Sequence, residues 1–585
     1  MPPRPHERVL LIALPVLALI FDPALGNPFA LKQLAAPLAA WMAVALLAAR
    51  GTGQVRWVGP ALALAAGAAL GIPAARNPGA AIWGWSIVAG FALAFALAAS
   101  AGTTRAFRRG LSLAFTATGA VVSAVALVQA AGVPGADFGL QALGKMRAFS
   151  TLGNPNFVAF LLLPALPAAV VAARGARTRW SRALAIVGAA LMAAGLAVTQ
   201  ARSAWIAAGL GLIAWLTVTR RSRLLVATIA LASLAGAVVT GTLSHSGRGR
   251  LLVWREAIAV WSASPLTGVG PGNFNVHQLE AQRAVFRSGG WDGFTQNASF
   301  LLDAHCEPLH LLTEAGPIAA AAFLFLCAAV LRHGARRARR SPVHRLWYAA
   351  FAAQLAFCLF NAPLSFGPLA LSFWLSALPL VAPLRPGRRR PLRPLLAFFP
   401  SAIALACAIA ALRFHRASAL EGEAALSLET GPRPRAVELL AEASRLNPWD
   451  GYVREKLALA LYFDGRHDQA VAELQHARRL FGDVGIEYLS AEILARQGRY
   501  AEAAAAFEDI AAAFPQHVTP PFMLGQLYLR LGRYRDAERA LTRAAAMPDS
   551  PNNLKLDRAK VRRQQELARE ILDHAPELQA FREGP

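Results

Sequence analysis

Between Met1 and Arg413 the chain is a succession of apolar runs, with arginines clustered in short stretches between them. A bilayer core offers no water to satisfy the backbone, so a segment crossing it must bond internally, and about 20 mostly apolar residues suffice as a helix. Runs of that kind lie near residues 8–22, 31–49, 57–73, 80–100, 111–132, 155–173, 182–199, 203–219, 223–242, 310–331, 345–364, 367–384 and 394–412. They predict an all-α polytopic transmembrane bundle of about 12–13 spans over residues 1–412. The first run has the length of a signal peptide's apolar stretch, but the many runs behind it favour a retained helix.

Charge follows the same division. Up to Arg413 the acids are Glu7, Asp22, Asp137, Glu256, Glu280, Asp292, Asp303, Glu307 and Glu314, and most carboxylates lie in the last third. The net charge of +25 raises nucleic acid as a partner. Nucleic-acid binding would place the basic residues along one solvated stripe. Here they sit between apolar runs, as topology signals do, so no nucleic-acid partner is expected. With Arg4 and Arg8 in the cytoplasm, alternate loops carry Arg50/Arg56, Arg105/Arg108/Arg109, Arg174/Arg177/Arg179, Arg220/Arg221/Arg223, Arg332 to Arg345 and Arg385 to Arg393. All of these clusters then fall on one side, and an odd number of spans puts the tail on the other, so a multi-pass protein of the bacterial inner (cytoplasmic) membrane is expected, with an extracytoplasmic tail that is periplasmic if the cell is Gram-negative. The long loop 243–309 falls outside the cytoplasm too. Spans nearly free of acid weigh against an ion-coupled small-solute transporter.

From residue 413 to 585 the pattern changes. Gly431, Gly465, Gly498 and Gly532 recur every 33 or 34 residues, and Ala436, Ala470, Ala503 and Ala537 follow each by five. That period is the mark of a tetratricopeptide-repeat (TPR) α-solenoid, in which each helix pair buries its apolar face only by stacking on the next. Residues 549–585 are expected to cap it. Such a tail serves as a spacer or as a docking surface for a protein partner.

Four stretches on the extracytoplasmic side carry the chemistry: Arg147 to Phe157 with its Gly153-Asn154-Pro155-Asn156 turn, Thr199 to Trp205, Gly249 to Phe274, and Asp303 to Gly316. Arg202 and Arg250 offer planar forks suited to phosphate oxygens at headgroup level, although Arg202 also fits a snorkelling anchor. His305 has the side chain suited to proton transfer near neutrality, and a lone histidine is also often structural. His310 lies five residues on, which does not suit a helical two-histidine metal site. Cys306 is adjacent to His305 and points elsewhere, which does not suit a thiol nucleophile. The four cysteines form no CxxC pair, so neither a disulfide framework nor a zinc site is expected.

The GNPN turn, the Arg250-Leu-x-x-Trp254 segment followed by Pro265-Leu-x-Gly-Val-Gly-Pro-Gly-Asn-Phe274, and the His305-x-x-x-Leu-His310-Leu-Leu-x-Glu314-x-Gly316 stretch resemble, in this order, the O-antigen ligase and polymerase superfamily of membrane glycosyltransferases. The resemblance covers roughly residues 10–385, and the tail is similar to TPR extensions of some members. It implies a GT-C-like bundle that takes a glycan from an undecaprenyl-diphosphate carrier and joins it to an acceptor hydroxyl, on lipid or protein, without a nucleotide sugar. It implies that Arg202 and Arg250 hold the leaving diphosphate, with no metal or other cofactor expected, and that His305 is essential. It also implies that Arg147, Asn154 and Asn156 shape the cavity, with His310 and Glu314 as further substrate contacts. The chain departs from the family at Cys306, where asparagine is usual, and at Pro308, where an aromatic is usual. The acceptor therefore stays open between a surface polysaccharide and a protein hydroxyl (a protein O-oligosaccharyltransferase), and a non-catalytic assembly scaffold is the reading from outside enzymology.

Overall fold

A computed structural model describes residues 2–50, 56–136, 147–218, 245–383, 395–430, 433–547 and 558–583. The run at 223–242, the arginine clusters at 220–223 and 385–393, Gly431 and the first residues of the predicted cap lie outside them. The helices in chain order are α1 (Pro5–Leu19), α2 (Ala30–Arg50), α3 (Val58–Ala69), α4 (Pro78–Ala101), α5 (Arg105–Ala130), α6 (Pro155–Arg174), α7 (Arg179–Thr199) and α8 (Arg202–Thr217). They continue with α9 (His245–Ala263), α10 (Phe274–Arg287), α11 (Glu307–Ala338), α12 (Pro342–Phe357), α13 (Gly367–Val381) and α14 (Leu395–Thr430). Two compact units form: Met1–Val238 with Ser264–Gly272 and Ala304–Glu423, and Val239–Ala263 with Asn273–Asp303 and Ala424–Pro585.

The first unit is a helical bundle. Among the described residues seven helices, α2, α4, α5, α6, α7, α11 and α14, are long and apolar enough to cross a membrane, and α3 and α13 are shorter apolar helices. The chain is thus a multi-pass membrane protein. The remaining described runs fall on α1, α8 and α12, helices of 15, 16 and 16 residues. All residues of α13 are buried, the expected place for a helix that is apolar all round. Small residues let neighbours approach: a Cβ on Gly67 would lie 2.8 Å from the Ala319 nitrogen, and one on Gly211 2.7 Å from the Ala349 carbonyl. Glu7, 1% exposed, ties two helix starts together. Its carboxylate accepts from the Arg4 nitrogen (2.7 Å), the Thr104 nitrogen (2.8 Å) and the Thr104 hydroxyl (3.0 Å).

The predicted span near 310–331 is not one smooth helix. α11 starts at Glu307 and breaks at Gly316 (φ 75°, ψ 176°), just before Pro317. The break frees carbonyls, and residues 264–272 fill it. The Val269 nitrogen donates to the Thr313 carbonyl (3.0 Å) and the Gly270 nitrogen to the Glu314 carbonyl (2.9 Å). The glycines of the Gly268-Val-Gly-Pro-Gly272 segment all have positive φ, and a Cβ on Gly268 would lie 2.5 Å from the Glu314 carbonyl carbon. Only glycine permits both the turn and the backbone approach.

The second unit joins α9, α10 and a 3₁₀ turn at Asp292–Asn297 to the repeat helices: α15 (Arg433–Leu446), α16 (Gly451–Phe463), α17 (His467–Leu480), α18 (Val484–Arg496), α19 (Tyr500–Ala513), α20 (Thr519–Arg530) and α21 (Tyr534–Ala546). These are followed by α22 (Arg558–His574) and α23 (Pro576–Glu583). The sequence period is a repeated helix terminus. Gly465, Gly498 and Gly532 have φ of 80°, 75° and 70°, and each following arginine nitrogen closes a six-residue turn: Arg466 to Leu461, Arg499 to Leu494 and Arg533 to Tyr528. Ala470, Ala503 and Ala537 are fully buried. Residues of the long loop share this core, since Leu252, Leu279, Val285 and Ala298 pack in one cluster with Phe507, Ile510 and Phe514. Gln282 donates to the Ala513 carbonyl (2.6 Å), Gln516 to the Ala298 carbonyl (3.0 Å), and Arg287 pairs with Asp509 at 2.8 Å.

At the centre of α9 the Glu256 side chain is fully buried, with the Gln278 amide donating to it at 2.9 Å. Burial pushes its carboxyl from 4.5 up to about 8, against the smaller opposing effect of that hydrogen bond. The folded chain therefore keeps a proton that the unfolded chain sheds near pH 4.5, and stability falls as pH rises from there toward 8. Glu256→Gln is expected to raise the thermal midpoint of the full-length protein at pH 8 and leave it nearly unchanged at pH 4, as read by a pH series of thermal unfolding in detergent.

Candidate functional site

Among the described residues three non-glycine residues have positive φ: Ser150 (51°), Gln200 (52°) and His305 (49°). They lie in three of the four stretches that sequence reasoning singles out. Left-handed backbone costs such residues about 1–3 kcal/mol each and persists only where surroundings enforce it.

At the first turn the enforcing groups are visible. The Gln129 side chain, at the end of α5, accepts from the nitrogens of Phe149 (3.1 Å) and Ser150 (2.7 Å). The Ser150 hydroxyl donates to the Val122 carbonyl (2.6 Å) and that of Thr151 to the Ala18 carbonyl (2.9 Å). Gly153 is left-handed, and a Cβ there would meet the Phe29 ring at 2.7 Å. Asn154 caps α6, accepting from the Asn156 nitrogen at 2.8 Å, with Pro155 as first helical residue. For Asn154 the structure therefore shows a cap, and Asn156 supplies its donor.

The second turn meets the first. The Arg147 guanidinium donates to the Gln200 carbonyl at 3.2 Å. Two residues on, Arg202 is the exposed first residue of α8, whose N-cap residue, Ala201, has no capping side chain. Two guanidinium groups and an uncapped helix N-terminus thus share one corner of the bundle, a combination suited to phosphate oxygens.

The third turn leads from His305 into α11. His305 is half-buried. Burial pushes the neighbouring Cys306 thiol up, with the Glu307 charge adding to the shift and a backbone hydrogen bond at Leu309 opposing it, which keeps sulfur protonated rather than nucleophilic. Further along α11, His310 Nε2 stands 3.4 Å from the Glu314 carboxylate, which also accepts from the Gly272 nitrogen at 2.7 Å. Both line a cavity of about 310 Å³ together with Gln33, Trp83, Pro271 and Glu307. The structure thus brings His310 and Glu314 together, and Arg147 with the Arg202 turn. Arg250 lies in the second unit, half-buried on α9. No three His, Cys, Asp or Glu side chains gather closely enough to hold a metal ion among the described residues.

Sequence reasoning passes over two groups here. Lys32 is fully buried, and its ammonium donates to the carbonyls of Ala18 (3.1 Å) and Ile20, closing the end of α1 beside Thr151. Glu307, also buried, accepts from the Leu364 nitrogen at 2.9 Å. The signal for Lys32 was its rarity, since no other lysine precedes Lys145.

The O-antigen ligase family model matches residues 187–324, a stretch holding Arg202, Arg250, His305, His310 and Glu314. A tetratricopeptide-repeat model matches residues 494–552. Together they bear out the resemblance carried by the motifs: the membrane half carries an O-antigen ligase-like segment and the tail carries tetratricopeptide repeats. No curated protein matches the chain. Among solved structures it is similar to MamA from Desulfovibrio magneticus, at 20% identity over 29% of this chain and 98% of that one, with a TM-score of 0.23. It is similar to YrrB, described as a TPR protein with an unusual peptide-binding site, at 21% identity over 28% and 82%, with a TM-score of 0.22. It is also similar to yeast Tom70, at 12% identity over 90% and 99%, with a TM-score of 0.26. At such scores the repeat fold rests on the family match and on the helix termini described above.

The Gln129 clamp is open to test. Gln129→Ala leaves the Phe149 and Ser150 nitrogens without their acceptor, a loss of about 1–3 kcal/mol. A drop of the thermal midpoint by several degrees is expected, measured on the purified full-length protein.

Proposed function

We propose that the protein transfers a glycan from an undecaprenyl-diphosphate carrier to an acceptor hydroxyl on the extracytoplasmic face of the bacterial inner membrane. The observation that carries this reading is the corner where Arg147 holds the Gln200 carbonyl beside Arg202 and the start of α8. A leaving diphosphate gathers negative charge as the bond to the sugar breaks, and preorganised donors that meet this charge lower the barrier. In this scheme the acceptor oxygen attacks the anomeric carbon, the carbon–oxygen bond to the carrier breaks, and the diphosphate departs with the bonding electron pair. His305 takes the hydroxyl proton. Arg250 joins Arg202 in neutralising the diphosphate, on the strength of the family resemblance. The cavity with His310 and Glu314 receives the sugar, where a carboxylate and an imidazole suit hydroxyl groups.

The charge bias of the loops supports an orientation with the N-terminus in the cytoplasm and the repeat tail outside. There the tail offers a surface for a protein partner, and the acceptor is a lipid-borne core or a polysaccharide end.

Cells carrying His305→Ala or Arg202→Ala are expected to lose the glycan product by a factor of about 10²–10³, the effect of removing one preorganised transition-state group. Arg202→Lys, which keeps charge but loses the fork, falls between. The readout is the surface-glycan ladder on a gel at matched protein levels. Unchanged ladders for both alanine variants would leave the scaffold reading in place of the enzyme.

A further inference from the structure

At the opposite end of the same helices the bundle holds a second basic pocket that the reaction does not use. α5 runs from Arg105 to Ala130, and Arg108 lies 21 residues before Gln129, a rise of roughly 30 Å, the thickness of a bilayer core. The pocket has a volume of about 260 Å³ and opens between the ends of α5, α6, α7, α12 and α13. One part of its wall is basic, with Arg108, Arg109 and His344, and the other is apolar, with Leu113, Val171 and Trp347.

The basic wall is held together against its own repulsion. Arg108 and Arg337 both donate to the Ala382 carbonyl, just past the end of α13, the Arg337 bond at 2.8 Å. Arg108 also bonds the Thr103 hydroxyl (3.0 Å) and stands 3.5 Å from His344 Nε2. The partial negative charge at the end of α13 compensates about half a unit, which does not balance two guanidinium groups. None of Arg108, Arg109 and Arg337 forms an ion pair with a carboxylate among the described residues, and His344 Nδ1 is buried without a hydrogen-bond partner. Arg109 is exposed and makes no bond among the described residues. Like charges at such spacing in a low-dielectric setting call for an anion.

We propose that this pocket binds an anionic phospholipid from the leaflet opposite the candidate active site, its phosphate against Arg109 and Arg108 and one acyl chain along Leu113, Val171 and Trp347. The phosphate fits because a guanidinium fork matches its oxygens, and the chain fits because the slot continues onto half-exposed apolar side chains at the bundle surface. The lipid anchors that end of the bundle by bridging α5, through its phosphate, to α6 and α12, through its acyl chain.

The test uses full-length protein in detergent, with phosphatidylglycerol, phosphatidylcholine or inorganic phosphate added, followed by thermal unfolding and native mass spectrometry. Phosphatidylglycerol is expected to raise the midpoint and to remain bound in the gas phase, with neither effect from the other two. Arg109→Gln, which breaks no bond in the bundle, is expected to weaken phosphatidylglycerol binding about tenfold, the worth of one charge-assisted hydrogen bond, and Arg109→Lys to restore part of it. Equal retention of phosphatidylcholine, full stabilisation by inorganic phosphate alone, or unchanged phosphatidylglycerol binding by Arg109→Gln would each overturn the proposal.

Discussion

The bundle depends on the pairing of the glycine-rich segment with the break in α11. A helix interrupted at Gly316 inside an apolar bundle leaves backbone groups with no water to turn to, and each unsatisfied group costs several kcal/mol in hydrocarbon. Val269 and Gly270 donate to the carbonyls of Thr313 and Glu314, and the Gly272 nitrogen donates to the Glu314 carboxylate. One glutamate thus accepts through its main chain and its side chain from the same loop. That arrangement fixes the carboxylate beside His310, so the irregular backbone exists where it sets a carboxylate and an imidazole into a largely apolar cavity. The segments on both sides of residues 264–272 belong to the second unit, whose core they share with the repeats.

The same economy governs the other motif turns. Ser150, Gln200 and His305 are held left-handed, and for Ser150 the holding groups come from α5, through Gln129 and the Val122 carbonyl. Strain of this kind places side chains where a relaxed turn would not, and the turns that bear it are those that resemble the ligase family. Lys32 adds a buried donor to this neighbourhood, but its bonds go to the carbonyls that end α1, so it acts on the helix terminus.

Much of this was legible in the sequence because it is periodic or local. Apolar runs marked the spans, and the 33–34-residue period marked the repeats whose helix termini lie at Gly465, Gly498 and Gly532. What escaped was tertiary. Gly316-Pro317 signalled a break within a run read as continuous, yet nothing local said that Gly268 to Gly272 would fill it. Glu314 was expected as a substrate contact and Glu307 was given no role, and only the fold sets both at one cavity with Gln33, which is 274 residues earlier than Glu307. The loop helices α9 and α10 read as an extracytoplasmic excursion. Their apolar faces gave no hint that Leu279 and Val285 pack with Phe507 and Phe514.

The most direct measurement is reconstitution of the purified protein in liposomes with an undecaprenyl-diphosphate-linked glycan and a hydroxyl acceptor, following release of undecaprenyl diphosphate. The account predicts one carrier released for each glycan joined, with no nucleotide sugar added. Folded protein that binds the donor and releases no carrier, or carrier release with no glycan on the acceptor, would contradict it.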